Sequence, residues 1–488
     1  MKTWSRELSP SQDPIRGYRP PPPPPPNNGE SPYTMDNGRS TDAPQATLRV
    51  GGLLQGPHLL QDINLLEIIS HLTHERIPER LVHAKGAGAY GVFEVTDDIS
   101  DLTKADFLKE VGKQTSLFCR FSTVVGERGS ADSVRDSRGF AFKIYTQEGN
   151  LDWMFFSTPT FPIRDGGKFP SFTHCQKREP QTGLRSATTF WDDCGTPKSY
   201  RHSNIFSVNA YKFVRNDSFA YVRIHLRTCL PDGTLTQQEA QDLAGRDPDA
   251  FTRDLHDSIT KKEYPSWDVY AQVVKPEDVA GFPVNIFDPT RRWPEDTNVD
   301  PKAAPLRKFG KITLNEIPTD EFGEVEQVSF SPTAIVPGWD NLTVQIIVLQ
   351  TRLFAYGSAA RYRLGINFHQ LKVNKSKYAF NPTKRDGVGY VNSFNPPVQS
   401  NYIANDGASS FTTADADSWT GKITGFESQI NPDSDYQQPA ELWAQFKLNP
   451  PMADHFVSNV AMNLSTATKE VRDKTYGRLG DLAEVIWC

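Results

Sequence analysis

Five stretches of this chain, residues 116–122, 139–145, 205–213, 219–226 and 266–274, alternate apolar and polar side chains with a period of two. In the fourth, Ala220, Val222, Ile224 and Leu226 share one face while Tyr221, Arg223 and His225 share the other. That is what a strand with one face in a core requires. Several such strands in succession predict an antiparallel barrel. With 488 residues the chain can bury a large core, and one large domain plus a small one fits its length.

Helical spacing occupies the remainder. Residues 59–71, LLQDINLLEIISH, read as a helix with Asp62 able to cap its first turn. Thr236 and Glu239 form a capping box opening a helix through about Leu243, and residues 249–259 form a second. Both are insertions in the β region. Residues 283–345 are proline-rich and predict a long wrapping connection. From Pro439 onward, Leu442/Trp443/Phe446, Phe456/Val457/Val460/Leu464 and Leu479/Leu482/Ile486 recur at helical intervals. The expected partition is a flexible proline-rich arm at 1–45, a barrel core with inserted helices at 46–345, a helix and wrapping segment at 346–435, and a helical subdomain at 436–488. The arm holds seven consecutive prolines, 20–26, which favour polyproline II or disorder.

Composition excludes several classes. The 59 acidic and 53 basic side chains are well mixed, with no Lys/Arg block longer than a triplet, which argues against a nucleic-acid partner. No run of about 18 apolar residues predicts a membrane span, and residues 1–18 lack the apolar core of a secretory signal. An intracellular protein is expected, cytoplasmic or peroxisomal, although Ile486-Trp487-Cys488 is not a Ser-Lys-Leu-type ending. The five cysteines include no CxxC, so neither a disulfide framework nor a zinc site is indicated.

Among the titratable residues His83 stands out. Glu79-Arg80 precede it and Lys85-Gly86-Ala87-Gly88 follow, predicting a charged, glycine-permissive turn that presents the imidazole. Residues 76–96 read RIPERLVHAKGAGAYGVFEVT. Further on come Arg120-Phe121-Ser122-Thr123-Val124, Glu127-Arg128-Gly129-Ser130-Ala131-Asp132, Arg135-Asp136-Ser137-Arg138-Gly139-Phe140-Ala141, Phe169-Pro170-Ser171-Phe172 and Arg352-Leu353-Phe354-Ala355-Tyr356. Together these segments resemble the monofunctional haem catalases, over nearly everything from about residue 40 to the end.

The resemblance implies an α+β catalase fold: an antiparallel eight-stranded β-barrel with an N-terminal arm, a long wrapping loop and a C-terminal helical subdomain, assembled as a homotetramer. It implies haem b (iron protoporphyrin IX) with Tyr356 as axial ligand to iron. Arg352, four residues earlier on a helix, would donate to the phenolate. Arg80, Arg120 and Arg363 match the family's propionate-binding guanidiniums, and Val82 and Phe169 match residues around the haem. His83 matches the distal general base, with Ser122 orienting its other ring nitrogen. Val124 and Asp136 match the main access channel, and Phe121 matches an aromatic of the distal face.

Three departures bear on function. Where the family carries Gly-Asn-Asn-Thr-Pro, this chain has Phe155-Phe156-Ser157-Thr158-Pro159. Phe156 therefore takes the distal asparagine's position, and a phenyl ring cannot donate to peroxide. Loss of one preorganised donor costs on the order of 100-fold to 1000-fold. Phe155 and Phe161 are expected to join the substrate channel and make the chamber suited to an organic molecule. After Gly195-Thr196-Pro197-Lys198-Ser199 the chain reaches Arg201-His202-Ser203-Asn204 directly. Animal and many fungal catalases insert roughly sixteen more residues there that contribute to an NADPH pocket, so NADPH is not expected. Gly357 and Ala360 replace a proline and a histidine next to the ligand tyrosine, which loosens the propionate shell.

The expected function is therefore an oxidative cyclisation of secondary metabolism on a catalase scaffold. The subtype implied is the catalase-like chanoclavine-I synthase of fungal ergot-alkaloid biosynthesis. Its substrate would be an indole, N-methyl-dimethylallyltryptophan, oxidised with hydrogen peroxide, dioxygen or superoxide. The alternative is a conventional catalase that decomposes hydrogen peroxide to water and dioxygen. A fatty-hydroperoxide enzyme of the same family is disfavoured, because those carry Thr before the distal histidine and this chain has Val82.

Overall fold

The computed structural model describes residues 33–41, 44, 46–48, 58–59, 62–177, 181, 193–216, 218–231, 233–340, 347–377, 386–391, 429–465, 467 and 469–484; the proline run and Ile486 lie outside them. The chain forms two compact units, Met1–Pro78 and Glu79–Cys488, whose boundary falls inside the expected 46–345 segment. In the first, β1 (Tyr33–Thr34) pairs antiparallel with β2 (Ser40–Thr41). Helix α1 spans Ile63–His74, beginning after Asp62, whose carboxylate accepts from Leu65 N at 3.2 Å. The predicted cap is real, and it moves the helix start from Leu59 to Ile63, because a capping residue stands outside the turn it caps.

Among the described residues the second unit is built on ten strands: β3 (Gly86–Val95), β4 (Gln114–Thr123), β5 (Arg138–Thr146), β6 (Gly149–Phe156), β7 (Ile205–Phe206), β8 (Tyr211–Arg215), β9 (Ser218–Thr228), β10 (Ser266–Val274), β11 (Arg307–Glu316) and β12 (Trp339–Asp340). Eight close on themselves in the order β3-β4-β5-β6-β7-β9-β10-β11, with β11 pairing back to β3. This is the expected eight-stranded antiparallel barrel, and closure leaves its ring without an edge. Strands β8 and β12 extend from β9 outside the ring.

Period-two alternation decides which side chains fill the barrel. Ala87, Ala89 and Phe93 of β3, Cys119 and Phe121 of β4, Phe140 and Phe142 of β5, and Trp153 and Phe155 of β6 belong to one buried apolar cluster. Their neighbours, such as Arg120, Ser122, Gly139, Met154 and Phe156, therefore point to the outer face.

Several expectations change here. Gly86-Ala87-Gly88 is not a turn but the start of β3, because its glycines let two strands and a guanidinium approach closely: a Cβ on Gly86 would stand 2.9 Å from Arg120 Cζ. Residues 205–213 are not one strand. They break into β7 and β8 at Val208, whose φ of 63° takes the chain out of the extended region. The wrapping segment contains β11, and β6, which the period did not reveal, completes the wall.

Helices follow more closely. α2 spans Phe169–Gln176, α3 Gln237–Arg246 with the reciprocal capping box of Thr236 and Glu239, and α4 Ala250–Thr260. α5 covers Ile347–Leu364, and α6 (Pro432–Asp435), α7 (Gln437–Lys447), α8 (Pro450–Ser465) and α9 (Lys469–Glu484) follow. Trp443 and Phe446 each meet Phe456 at 5.7 Å between ring centroids, which ties α7 to α8.

One ion pair locks the wall to the segment outside it. Lys143 and Asp152, opposite each other on β5 and β6, pair at 2.7 Å with side chains only 4% and 1% exposed. The same carboxylate accepts from Ser331 N. Breaking a buried pair strands the remaining charge, typically at 3–5 kcal/mol, so Asp152→Ala is expected to destabilise the fold by about that much. A thermal melt of this variant that matches the unaltered protein would contradict the assignment.

Candidate active site

A single cross-strand row organises the site. Gly86 pairs with Ser122, Ser122 with Gly139, Gly139 with Phe156, and Phe156 with Phe206, so these five residues run in line across five adjacent strands. Two of them lack side chains, and that leaves room for an imidazole. His83, just before β3, fills it: its Nδ1 lies 2.9 Å from Ser122 Oγ. A Cβ on Gly139 would come within 2.5 Å of that same nitrogen. Gly139→Ala should therefore displace the ring and lower turnover about 100-fold, the scale of a 1 Å misplacement. Unchanged turnover in this variant would mean that the ring does not need its seat.

His83 is held by its backbone as well. Its N donates to Val124 O at 2.9 Å, and its φ of 67° lies in the left-handed region, uncommon for a residue with a Cβ. Strain of this kind collects at functional positions, where surrounding structure over-determines the conformation. Burial, followed by the fields of Arg120 and Arg80, lowers the imidazole pKa to about 3. The ring is thus neutral across the physiological range and can accept a proton.

Phe156 stands 5.8 Å from the imidazole, centroid to centroid. Phe161 lies 5.6 Å beyond it, Phe172 6.4 Å beyond that, and Phe169 a further 6.4 Å along, giving a continuous aromatic succession from the histidine outward. Phe155 does not belong to it. It packs inside the barrel, stacked on Trp153 at 5.4 Å and facing Tyr211 at 6.4 Å, so its assignment to the substrate channel is corrected. Neighbours on a strand point to opposite faces, and Phe156 and Phe155 cannot both line one chamber. Phe121 packs, as a lone phenylalanine ordinarily does: it stacks on Tyr200 in the barrel interior.

The Asp136 carboxylate accepts from Val124 N and Val125 N, both at 2.7 Å. It therefore fixes the loop that carries Val124 and receives the His83 amide. Asp136 also lines a cavity of about 380 Å³ with Glu127, Ser130 and Arg135. Val82 is half-buried beside His83.

Arginines gather around Glu326. Arg80 donates to its carboxylate at 3.1 Å and to the carbonyls of Val325, Glu326 and Val328, while Arg363 donates to Glu326 O and Val328 O. Arg120 holds the carbonyls of His83 and Ala84, and its Nε has no partner. Burial first, then repulsion from Arg120 and Arg363, pushes Arg80 well below the usual guanidinium range. Burial and then Arg120 likewise bring Arg363 down to about 10. Among the described residues only Arg80 of these three pairs with a carboxylate, that of Glu326, which Arg128 also approaches at 3.6 Å. The three guanidiniums therefore repel one another and are short of negative charge. The two propionates of a haem supply what is missing, so the residues fit that group.

On α5, Arg352 and Tyr356 are one turn apart, and Arg352 Nη2 lies 3.3 Å from the Tyr356 hydroxyl and 3.4 Å from Met154 O on β6. Met154 lies two residues before Phe156 on β6, so Arg352 ties α5 to the strand that carries the ring beside His83. Gly357 is open enough for a Cβ, nearest Arg361 at 3.4 Å, and Ala360 is buried. Reasoning from sequence missed Gly139 and Glu326. An isolated glycine inside a strand pattern was the signal for the first, while no motif announces Glu326.

A family model described as catalase matches residues 34–409. The chain is 48% identical over 464 residues to catalase A of Botryotinia fuckeliana, covering 90% of this chain and 95% of that protein. It is 43% identical over 482 residues to the peroxisomal catalase of Candida albicans, covering 93% and 97%. Catalase A from Saccharomyces cerevisiae, a solved structure, superposes with a TM-score of 0.85 at 38% identity, covering 93% of this chain and 98% of the other.

Proposed function

This chain belongs to the catalase family of haem-dependent oxidoreductases, and from that premise we propose that it decomposes hydrogen peroxide to water and dioxygen at a rate held down by Phe156. The names of its relatives favour this activity over an unrelated one. The observation that carries the reduced rate is the phenyl ring 5.8 Å from His83, in the position of an amide.

Haem b would be held by Tyr356 at its iron and by Arg80, Arg120 and Arg363 at its propionates, and would supply a redox-active iron. The protein's part is proton handling and exclusion of water. With Nδ1 bonded to Ser122, His83 Nε2 takes the proton from one peroxide oxygen and returns it to the other. Its low pKa makes the proton easy to give back. Phe156 bounds the pocket without a donor, so peroxide is less firmly held there.

A second reading rests on the aromatic succession Phe156, Phe161, Phe172 and Phe169. It is an oxidative cyclase of the chanoclavine-I synthase type, in which an indole such as N-methyl-dimethylallyltryptophan packs on that wall. NADPH enters neither reading. The proposed assembly is a homotetramer, supported by the apolar residues Ile63, Leu66, Ile69 and Leu72 that α1 leaves exposed. The proposed compartment is intracellular, peroxisomal or cytoplasmic, after the naming of several relatives. Among the described residues no helix is long and apolar enough to cross a membrane.

One experiment separates the two readings: haem-loaded protein is given hydrogen peroxide in an oxygen electrode and, separately, the indole with product followed by mass. Sustained oxygen evolution without indole turnover supports the catalase. Little oxygen together with a new indole product supports the cyclase.

A further inference from the structure

The ring next to Phe156 in the aromatic succession is held from outside the barrel. Phe161 lies on the loop 157–165, which follows β6 and leads to the short turn at 166–168. Ser157 N fixes one end of this loop by donating to Arg138 O at 2.9 Å, and Gly166 packs against Thr351 of α5 at the other. Between these ends, Phe161 N donates to Pro289 O at 2.8 Å. Three residues after Phe161, Arg164 reaches Asp288 at 3.3 Å with one terminal nitrogen and Asp435 at 2.6 Å with the other. Asp435 is the last residue of α6, so a loop beside His83 is tied to a helix 271 residues away in sequence.

The segment that receives Phe161 is itself anchored to the barrel. Arg223 of β9, 3% exposed, donates to the carbonyls of Asp288 and Arg291 and stands 4.8 Å over the Trp293 ring. Two cations and two anions then meet on this segment: Arg164 and Arg291 with Asp288 and Asp435. Asp435 is shared most widely, because its Oδ1 also takes Arg291 at 2.5 Å and its Oδ2 accepts from Asn431 N at 2.9 Å. Without its charge, both guanidiniums would fall to Asp288, at 3.3 and 3.9 Å. An unpaired buried cation is costly, and the one nearer water is the one that leaves. That is Arg164, whose side chain is 32% exposed against 11% for Arg291.

We propose that Asp435 is a positioning residue that determines substrate size: through Arg164 it fixes the loop carrying Phe161, and so sets how bulky a peroxide can reach His83. Phe161 stands 5.6 Å from Phe156, and Phe156 stands 5.8 Å from the imidazole, so a shift of this loop changes the width of the pocket on its aromatic side. The inference rests on the proposed peroxide reaction with His83 as its base. Charge-assisted hydrogen bonds are roughly twice as strong as neutral ones, so the hold comes from the charge of Asp435 and not from its volume. Asparagine keeps the volume and removes the charge.

The test compares ferric holoprotein carrying Asp435→Asn, Arg164→Gln or Gln438→Ala with the unaltered chain. Gln438 is the control: it clamps α7 to the backbone N and O of Arg292 at 2.9 and 3.0 Å without touching Arg164. Stopped flow follows the haem spectrum after mixing with peracetic acid or 3-chloroperbenzoic acid, which share a reacting group and differ in bulk. Hydrogen exchange follows the amides of residues 157–165. The unaltered protein should favour the small peracid. In Asp435→Asn and Arg164→Gln that preference should drop about tenfold, the low end of what one pocket contact decides, and exchange at 157–165 should quicken. Gln438→Ala should change neither. If Asp435→Asn does not fold, Arg164→Gln decides by the same ratio. A preference that stays put in the folded variants, or one that drops equally in Gln438→Ala, overturns the inference while leaving the peroxide reading intact. An unaltered holoprotein whose spectrum responds to neither peracid overturns both.

Discussion

Replacing His83 with alanine is expected to lower peroxide turnover by about 100-fold to 10,000-fold, the range that a positioned acid–base group contributes. Haem uptake should persist, because Tyr356 and the three arginines around Glu326 are untouched. The optical spectrum of the variant checks uptake and an oxygen electrode checks turnover. A variant that retains most of its turnover would remove His83 from the mechanism. The same residue predicts how the unaltered enzyme responds to acid. Burial holds the folded imidazole at about 3, against an ordinary value near 6.5, so the base does not titrate between pH 8 and pH 5. No acid limb from His83 is expected in that interval. Stability behaves differently: below about pH 6.5 an unfolded chain binds a proton on this residue that the folded chain refuses, so folding weakens as pH falls toward 3. His225, also pushed down to about 3 by burial, adds to the same trend. Acid inactivation should accordingly track unfolding and not titration of the base.

Phe156→Asn should have the opposite effect to loss of the histidine. The variant restores an amide beside His83, and a preorganised donor of this kind is worth on the order of 100-fold to 1000-fold. Oxygen evolution should rise by about that factor if the new amide reaches the bound peroxide, and any turnover of an aromatic substrate should fall as the ring contacts to Phe161 are lost. The paired readout matters, since general damage would lower both activities. Oxygen evolution that does not rise would mean that Phe156 does not limit the peroxide site.

How far the sequence reached can be judged from particular elements. Five alternating stretches foretold a barrel, and four correspond to single strands within a residue or two at each end. The capping box at Thr236 and Glu239 was legible because its bonds are local. The fifth stretch broke at Val208, since neither residue type nor spacing encodes a positive φ in a β-branched residue. β3 was misread as a turn because its glycines signal flexibility locally, whereas their use here is close approach of strand, guanidinium and imidazole. Phe155 was assigned to the chamber although period two already argued that it and Phe156 face opposite ways.

By itself the sequence determined the family and the barrel, and it offered as candidate site residues His83, Ser122, Arg352, Tyr356 and the arginines at 80 and 120, each within a contiguous run of recognisable residues. Tertiary structure alone decided what those groups meet. The floor beneath His83 is made by residues brought together by strand register from four separate segments. Glu326 reaches Arg80 across a separation of 246 residues. Chemistry is carried by residue type and survives in short motifs, but distances and fields between remote segments exist only after closure of the barrel has fixed them.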